Sequence, residues 1–171
     1  MVDRSKINHA LKPHQADAVA WALKGGRRAL FEAFGLGKTV QEVEFCHLAA
    51  EHTGGRALIV LPLGVKQEFT RDAVELLGYD KPEYCRTMEE VLNSSSQIVL
   101  TNYERVRDGD IRPDYFQATS LDEASVLRSF GSKTYQTFLT SSKTCHTSWW
   151  LLRHHRRTST RSSYTMPDIW K

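Results

Sequence analysis

The sequence predicts an α/β domain with a mainly parallel sheet flanked by helices, and three observations predict it. Apolar runs of strand length alternate with stretches of helical period along most of the chain. The runs Leu58-Ile59-Val60-Leu61 and Ile98-Val99-Leu100 are apolar at every position, as in strands covered on both faces. A glycine turn, Gly35-Leu36-Gly37, joins one strand-like segment directly to a helical one.

The elements follow in order. Residues 13–24 predict a helix: Pro13 suits a first turn, Ala16, Val19, Ala20 and Leu23 recur at helical spacing, and Gly25-Gly26 ends it. Ala29-Leu30-Phe31 is a short buried strand, and residues 40–50 a helix with Val40, Val43, Leu48 and Ala49 among its apolar positions. Gly54-Gly55 leads into a buried strand at 56–62, and an amphipathic helix over 65–77 closes on Gly78. Residues 84–87 read as a short strand, 88–92 as a short helix and 97–101 as another buried strand. A strand over 115–121 ends the set, although Gln117, Thr119 and Ser120 are polar for a central position and count against its stability.

Two segments carry chemistry. Phe34-Gly35-Leu36-Gly37-Lys38-Thr39 lies between a strand and a helix and has the form of a phosphate-cradling loop. Its glycines let backbone N–H groups turn onto phosphate oxygens, and the free N–H groups of the next helix add to the anion site. Leu121-Asp122-Glu123-Ala124-Ser125, an acidic pair after a strand-like run, is the usual partner of such a loop. Together they imply a nucleoside triphosphate with Mg²⁺. Gly35, Leu36, Gly37, Lys38 and Thr39 would bind it, Lys38 reaching the β/γ-phosphates. Thr39 and Asp122 would hold the metal, and Glu123 would orient or deprotonate the attacking water, which makes Lys38, Asp122 and Glu123 the expected catalytic set. Ligands of parallel sheets bind beyond the strands' carboxyl ends, where Lys38 and Asp122 would both sit. One departure is Glu32, which stands where the general loop pattern has a glycine.

With 171 residues, 40% of them hydrophobic and 25% charged, the chain suffices for one domain with a core. It shows no secretory signal, and its longest apolar stretch, residues 57–63, is too short for a bilayer, so no membrane partner is expected and a cytoplasmic location is. Cys46, Cys85 and Cys145 are scattered and predict reduced thiols rather than a disulfide or metal framework. The net charge of +3 misleads. Residues 141–171 hold six Lys or Arg against one acid, which leaves 17 basic and 19 acidic residues in 1–140, a net of −2. The basic character therefore belongs to the tail and not to the nucleotide-binding part.

Five segments in order now resemble a family. Leu11-Lys12-Pro13-His14-Gln15, the phosphate loop, Leu58-Ile59-Val60-Leu61-Pro62-Leu63, Ile98-Val99-Leu100-Thr101-Asn102-Tyr103-Glu104 and the acidic segment resemble the first, RecA-like motor lobe of superfamily-two helicases, especially the chromatin-remodeller-like branch and its phage and bacterial members. The resemblance spans roughly residues 8–140. It implies an ATP-binding lobe of a nucleic-acid-dependent ATPase, in which hydrolysis drives translocation on DNA in an intact, two-lobed protein. It implies that Gln15 reads the adenine edge, making ATP the nucleotide. It implies that Pro62, Leu63, Thr101, Asn102 and Tyr103 touch the nucleic-acid backbone, with DNA expected ahead of RNA. An acid at Glu32 fits the remodeller branch. Ser125 stands where members often carry His, which leaves the coupling of nucleotide to nucleic acid open.

Other readings are weaker. Gly131-Ser132-Lys133-Thr134 imitates a phosphate loop but follows no strand. His154 and His155 are adjacent and so do not face one another. The basic cluster at 153–161 would bind phosphates cheaply, and a nonenzymatic nucleotide- or nucleic-acid-binding fragment is the alternative function. A small kinase would need an acceptor site and lid that the sequence does not supply.

The domain expected is 1–140, followed by a disordered or out-of-frame basic tail at 141–171. Eleven of those 31 residues are Ser or Thr and no period is visible, where the family should have another buried strand. With codons started on the last base of each encoded one, the tail permits a strand ending in Thr-Ala-Thr-Pro. A frameshift near Thr140 or Ser141, leaving the lobe incomplete and one sheet edge unpaired, is the expectation.

Overall fold

The computed structural model describes residues 4–32, 37–122 and 147–153. Helix α1 (Pro13–Gly25) is followed by strand β1 (Arg27–Glu32) and helix α2 (Lys38–Thr53). Strand β2 (Ala57–Val60), helix α3 (Lys66–Arg71), strand β3 (Glu83–Tyr84) and helix α4 (Met88–Asn93) come next. Strand β4 (Ile98–Thr101), helix α5 (Tyr103–Arg107), strand β5 (Ala118–Leu121) and strand β6 (Thr147–Arg153) complete the described elements. All six strands join in one sheet of order β1-β6-β5-β2-β4-β3, and every pairing is parallel. The α/β class and the parallel sheet flanked by helices are as the sequence predicts.

Alternation along the strands divides the core. Ala57, Ile59, Leu61, Ile98, Leu100 and Ala118 pack with Val19 of α1, Val43, Phe45 and Leu48 of α2 and Phe69 of α3. Leu58, Val60, Val99 and Leu121 point the other way, onto Val91, Tyr103, Val106, Ile111 and Phe116. Continuous apolar strands are required because helices and turns cover both faces. Each fully buried Phe or Leu contributes on the order of 1.5–3 kcal/mol.

Four elements depart from the sequence expectation. The helix predicted over 65–77 is composite: a 3₁₀ turn at Leu63–Val65, α3, and a π turn at Asp72–Leu76 in which Leu77 N–H donates to Asp72 O at 3.1 Å. The wider turn tucks Asp72 and Ala73 inward and leaves Val74 and Leu76 exposed. Helix α5 was not foreseen, although Glu104 in its first turn and Arg105 and Arg107 in its last suit the helix dipole. β5 starts later than predicted because Pro113–Tyr115 forms a 3₁₀ turn.

The fourth departure concerns the tail. Within the stretch expected as tail lies β6, which pairs with β1 on one side (Ala29 opposite Trp150) and β5 on the other (Ser120 opposite Trp149), while the expected boundary at 140 falls outside the described residues. The residues as encoded contain the run Trp149-Trp150-Leu151-Leu152, apolar and aromatic enough for an inner strand. Residues 154–171 lie outside the described residues, as do the decoys Lys133, His154 and His155.

Candidate functional site

Helix α2 begins at the carboxyl end of β1 and runs back along the sheet. Its first residue is Lys38, and its N-cap, Gly37, has φ +70°, a left-handed backbone that favours glycine. The N-cap glycine supplies no side-chain cap, and a helix start of this kind presents backbone N–H groups that can meet an anion. Gln15 closes the site from α1. It is buried, not the solvated helix residue that its position alone would allow. Its Oε1 accepts a hydrogen bond from Lys12 N at 2.8 Å, and its amide nitrogen lies against Gly37, so close that a Cβ there would come within 2.3 Å of it. The adenine-reading candidate and the phosphate loop are thus in direct contact.

Asp122 follows β5. Its N–H donates to Val60 O at 2.9 Å, which fixes the turn out of the strand, and its carbonyl accepts the Tyr103 hydroxyl. The Thr39 hydroxyl makes a long contact of 3.4 Å, donating to Glu68 Oε1 on α3. Lys38 and Asp122 both act electrostatically on one side chain, the Glu42 carboxyl. Burial pushes that carboxyl well above its ordinary range and Asp122 pushes it further, while a hydrogen bond from Ser120 and the charge of Lys38 pull it back. The structure therefore gathers Gln15, Gly37, Lys38, Thr39 and Asp122 around the start of α2. Gly35, Leu36, Glu123 and Ser125 lie outside the described residues.

The residues present fit a magnesium nucleotide. A glycine cradle that a Cβ would fill, an uncapped helix start, a cation and an acid on the facing strand are the donor and acceptor set such a ligand needs. Among the described residues no group of three or more His, Cys, Asp or Glu is placed to hold a metal on its own.

The five nucleic-acid candidates divide. Leu63 is 57% exposed, and Pro62 and Asn102 are partly so. Asn102 is held by Tyr84, whose hydroxyl donates to its Oδ1 at 3.2 Å, and its own amide donates to Glu104 at 2.7 Å. Thr101 and Tyr103 are buried. Thr101 Oγ1 donates to Cys85 O at 2.9 Å and Tyr103 to Asp122 O, so these two side chains hold the scaffold together and do not face solvent. Sequence reasoning missed Glu42 and Glu68. The signal for Glu42 was present: an acid on a core-facing helix and a Ser on the strand opposite it.

No family model matches the chain, and no curated protein matches its sequence. Solved structures do resemble it. The UvsW helicase of bacteriophage T4 superposes with a TM-score of 0.71 at 16% identity, over 83% of this chain and 52% of that one. A second T4 UvsW structure gives 0.70 at 16% identity, over 81% and 29%. The SWI2/SNF2 ATPase core of Sulfolobus solfataricus in complex with dsDNA gives 0.65 at 18% identity, over 89% of this chain and 33% of that one. The chain shares the fold of these solved structures. It spans 52%, 33% and 29% of these three chains, and at such identities the likeness is one of fold alone.

Proposed function

We propose that the chain is the ATP-binding first lobe of a nucleic-acid-dependent ATPase motor, the kind of engine that couples hydrolysis to movement on DNA when a second lobe completes the cleft. The observation that carries the reading is the convergence of Lys38, at the uncapped start of α2, and Asp122, at the end of β5, on one buried carboxyl. In this reading the backbone around Gly37 cradles the phosphates and Lys38 neutralises their charge. Thr39 and Asp122 hold Mg²⁺, which when bound polarises the phosphoryl group. Glu123 orients water, and Gln15 selects adenine. The solvent-facing edge formed by Pro62, Leu63 and Asn102 meets the nucleic-acid backbone. Thr101 and Tyr103 support that edge from within, Tyr103 by tying it to the carbonyl of Asp122.

The test is calorimetric titration of the chain with a non-hydrolysable ATP analogue and Mg²⁺. Wild type should bind and Lys38→Ala should lose most of the affinity while its circular dichroism stays the same. Equal binding by both would remove Lys38 from the site and the reading with it.

A second reading is a nucleotide-binding fragment without turnover. The chain spans 52% of the UvsW chain and 33% of the SWI2/SNF2 chain. Arginines from a second lobe typically accelerate such hydrolysis by about 10³–10⁵. Steady-state ATPase with and without DNA separates the two, since DNA-stimulated hydrolysis abolished by Glu123→Gln would exclude the fragment.

A further inference from the structure

Ser120 stands on a strand buried on both faces, and Glu42 on the helix packed over it; apolar residues are the rule at both places. Neither side chain is exposed at all. They meet: Ser120 Oγ donates to Glu42 Oε1 at 2.7 Å, across 78 positions of sequence. Each would be costly buried alone, and together they form a polar clip between α2 and β5. Both ends of the clip adjoin functional candidates. Glu42 lies one helical turn beyond Lys38, and Ser120 two residues before Asp122, on the opposite face of the same strand from Leu121. Only half of the carboxyl is used. Oε2 of Glu42 is buried and has no hydrogen-bond partner among the described residues. Such an atom in a core is expensive unless a partner arrives.

We propose that Glu42 is a positioning residue of the nucleotide site: its bond to Ser120 sets the spacing between Lys38 and Asp122, and its Oε2 is kept for a hydrogen bond from water of the hydrated cation that accompanies the nucleotide. The proposal rests on the ATP reading above and assigns a new role within that site. It explains why a carboxyl group is buried behind Asp122, where apolar residues are the rule. It also explains why β5 carries a hydroxyl at the one position that faces α2 beside the site.

Two variants separate the halves of the argument. Glu42→Gln keeps an oxygen for Ser120 but turns the other atom from an acceptor into a donor. The double variant Glu42→Leu with Ser120→Ala replaces both partners by apolar groups, a change that is commonly neutral or stabilising for folding. Binding of a non-hydrolysable ATP analogue is measured by calorimetry with Mg²⁺ and with EDTA, alongside urea unfolding. Wild type should gain affinity from Mg²⁺. Glu42→Gln should bind as wild type in EDTA and lose about tenfold of the magnesium gain, the scale of one hydrogen bond to a charged group. The double variant should unfold at a urea concentration no lower than wild type yet bind about tenfold more weakly in both conditions, because Lys38 and Asp122 are no longer held in register. An unchanged magnesium gain in Glu42→Gln overturns the proposal, and so does a stable double variant that binds as wild type. If the double variant fails to fold, Glu42→Gln decides alone. Failure of wild type to bind under either condition would overturn the ATP reading and this one together. Binding that Lys38→Ala abolishes and Glu42→Gln leaves untouched overturns this one only.

Discussion

Replacing Gly37 by Ala tests the contact on which the site is built. Two costs can be worked from the structure. The backbone at Gly37 has φ +70°, and a non-glycine residue held there loses roughly 1–2 kcal/mol. The new Cβ would also fall 2.3 Å from the Gln15 amide nitrogen. Gln15 is buried and anchored by Lys12 N at 2.8 Å, so it cannot swing aside without giving up that hydrogen bond, about 0.5–1.5 kcal/mol. The expected loss is therefore about 1.5–3.5 kcal/mol, or a Tm lowered by about 3–14 °C for a domain of this size. The assay is a double-mutant cycle in urea. In a Gln15→Ala background the clash has no partner, so Gly37→Ala should cost only the strain, and the cycle should return a coupling of about 1 kcal/mol. If Gly37→Ala costs the same in both backgrounds, Gln15 does not rest on the phosphate loop and its placement at the nucleotide site fails.

Asp122→Ala should abolish the effect of Mg²⁺ on nucleotide binding, whereas Glu123→Gln should leave binding intact and remove only turnover, because one acid serves the metal and the other water; comparable loss of binding in both variants, read by calorimetry, would refute the division of roles. Stability should depend on pH through Glu42. Burial raises its folded pKa above the ordinary value of 4.5, so the folded state holds the proton more tightly than the unfolded one. The stabilisation from this group is complete below pH 4.5 and is lost as pH rises through the raised value. Asp122 and Lys38 face the same carboxyl, and the buried Cys46 thiol feels it as well. Urea midpoints measured across pH 5–8 should therefore fall less steeply in Glu42→Gln than in wild type; parallel curves would mean that Glu42 titrates normally.

Most of the sheet was legible because parallel strands covered on both faces leave little choice of residue. Leu58, Ile59 and Val60 must be apolar whichever way they point, and they are all fully buried. The glycine turn before α2 was legible for a related reason: Gly37 holds φ +70°, a left-handed backbone that favours glycine. What sequence reading lost was pairing over distance. The run at 149–152 is short and lies in a Ser- and Thr-rich stretch, so nothing local distinguishes it from a loop. Its place between β1 and β5 is a tertiary fact. Thr101 and Tyr103 were read as contacts to nucleic acid because the resemblance implied it, and their hydroxyls turn inward to Cys85 and Asp122.

The polar residues of β5 carry the sharpest lesson. Gln117, Thr119 and Ser120 looked like defects in a central strand. Gln117 Oε1 takes the N–H of Arg56 at 2.9 Å, supporting the entry to β2, and Ser120 meets Glu42. A polar residue in a buried strand and an acid on a core-facing helix are each anomalous when scored alone. Placed 78 residues apart and facing one another, they satisfy each other's hydrogen-bonding demand, except at one carboxyl oxygen. That remaining deficit lies on the carboxyl that feels the charges of both Lys38 and Asp122. Two local violations of the core rule in one fold are therefore better tested first as a pair, and then as part of a site, before either is counted against stability.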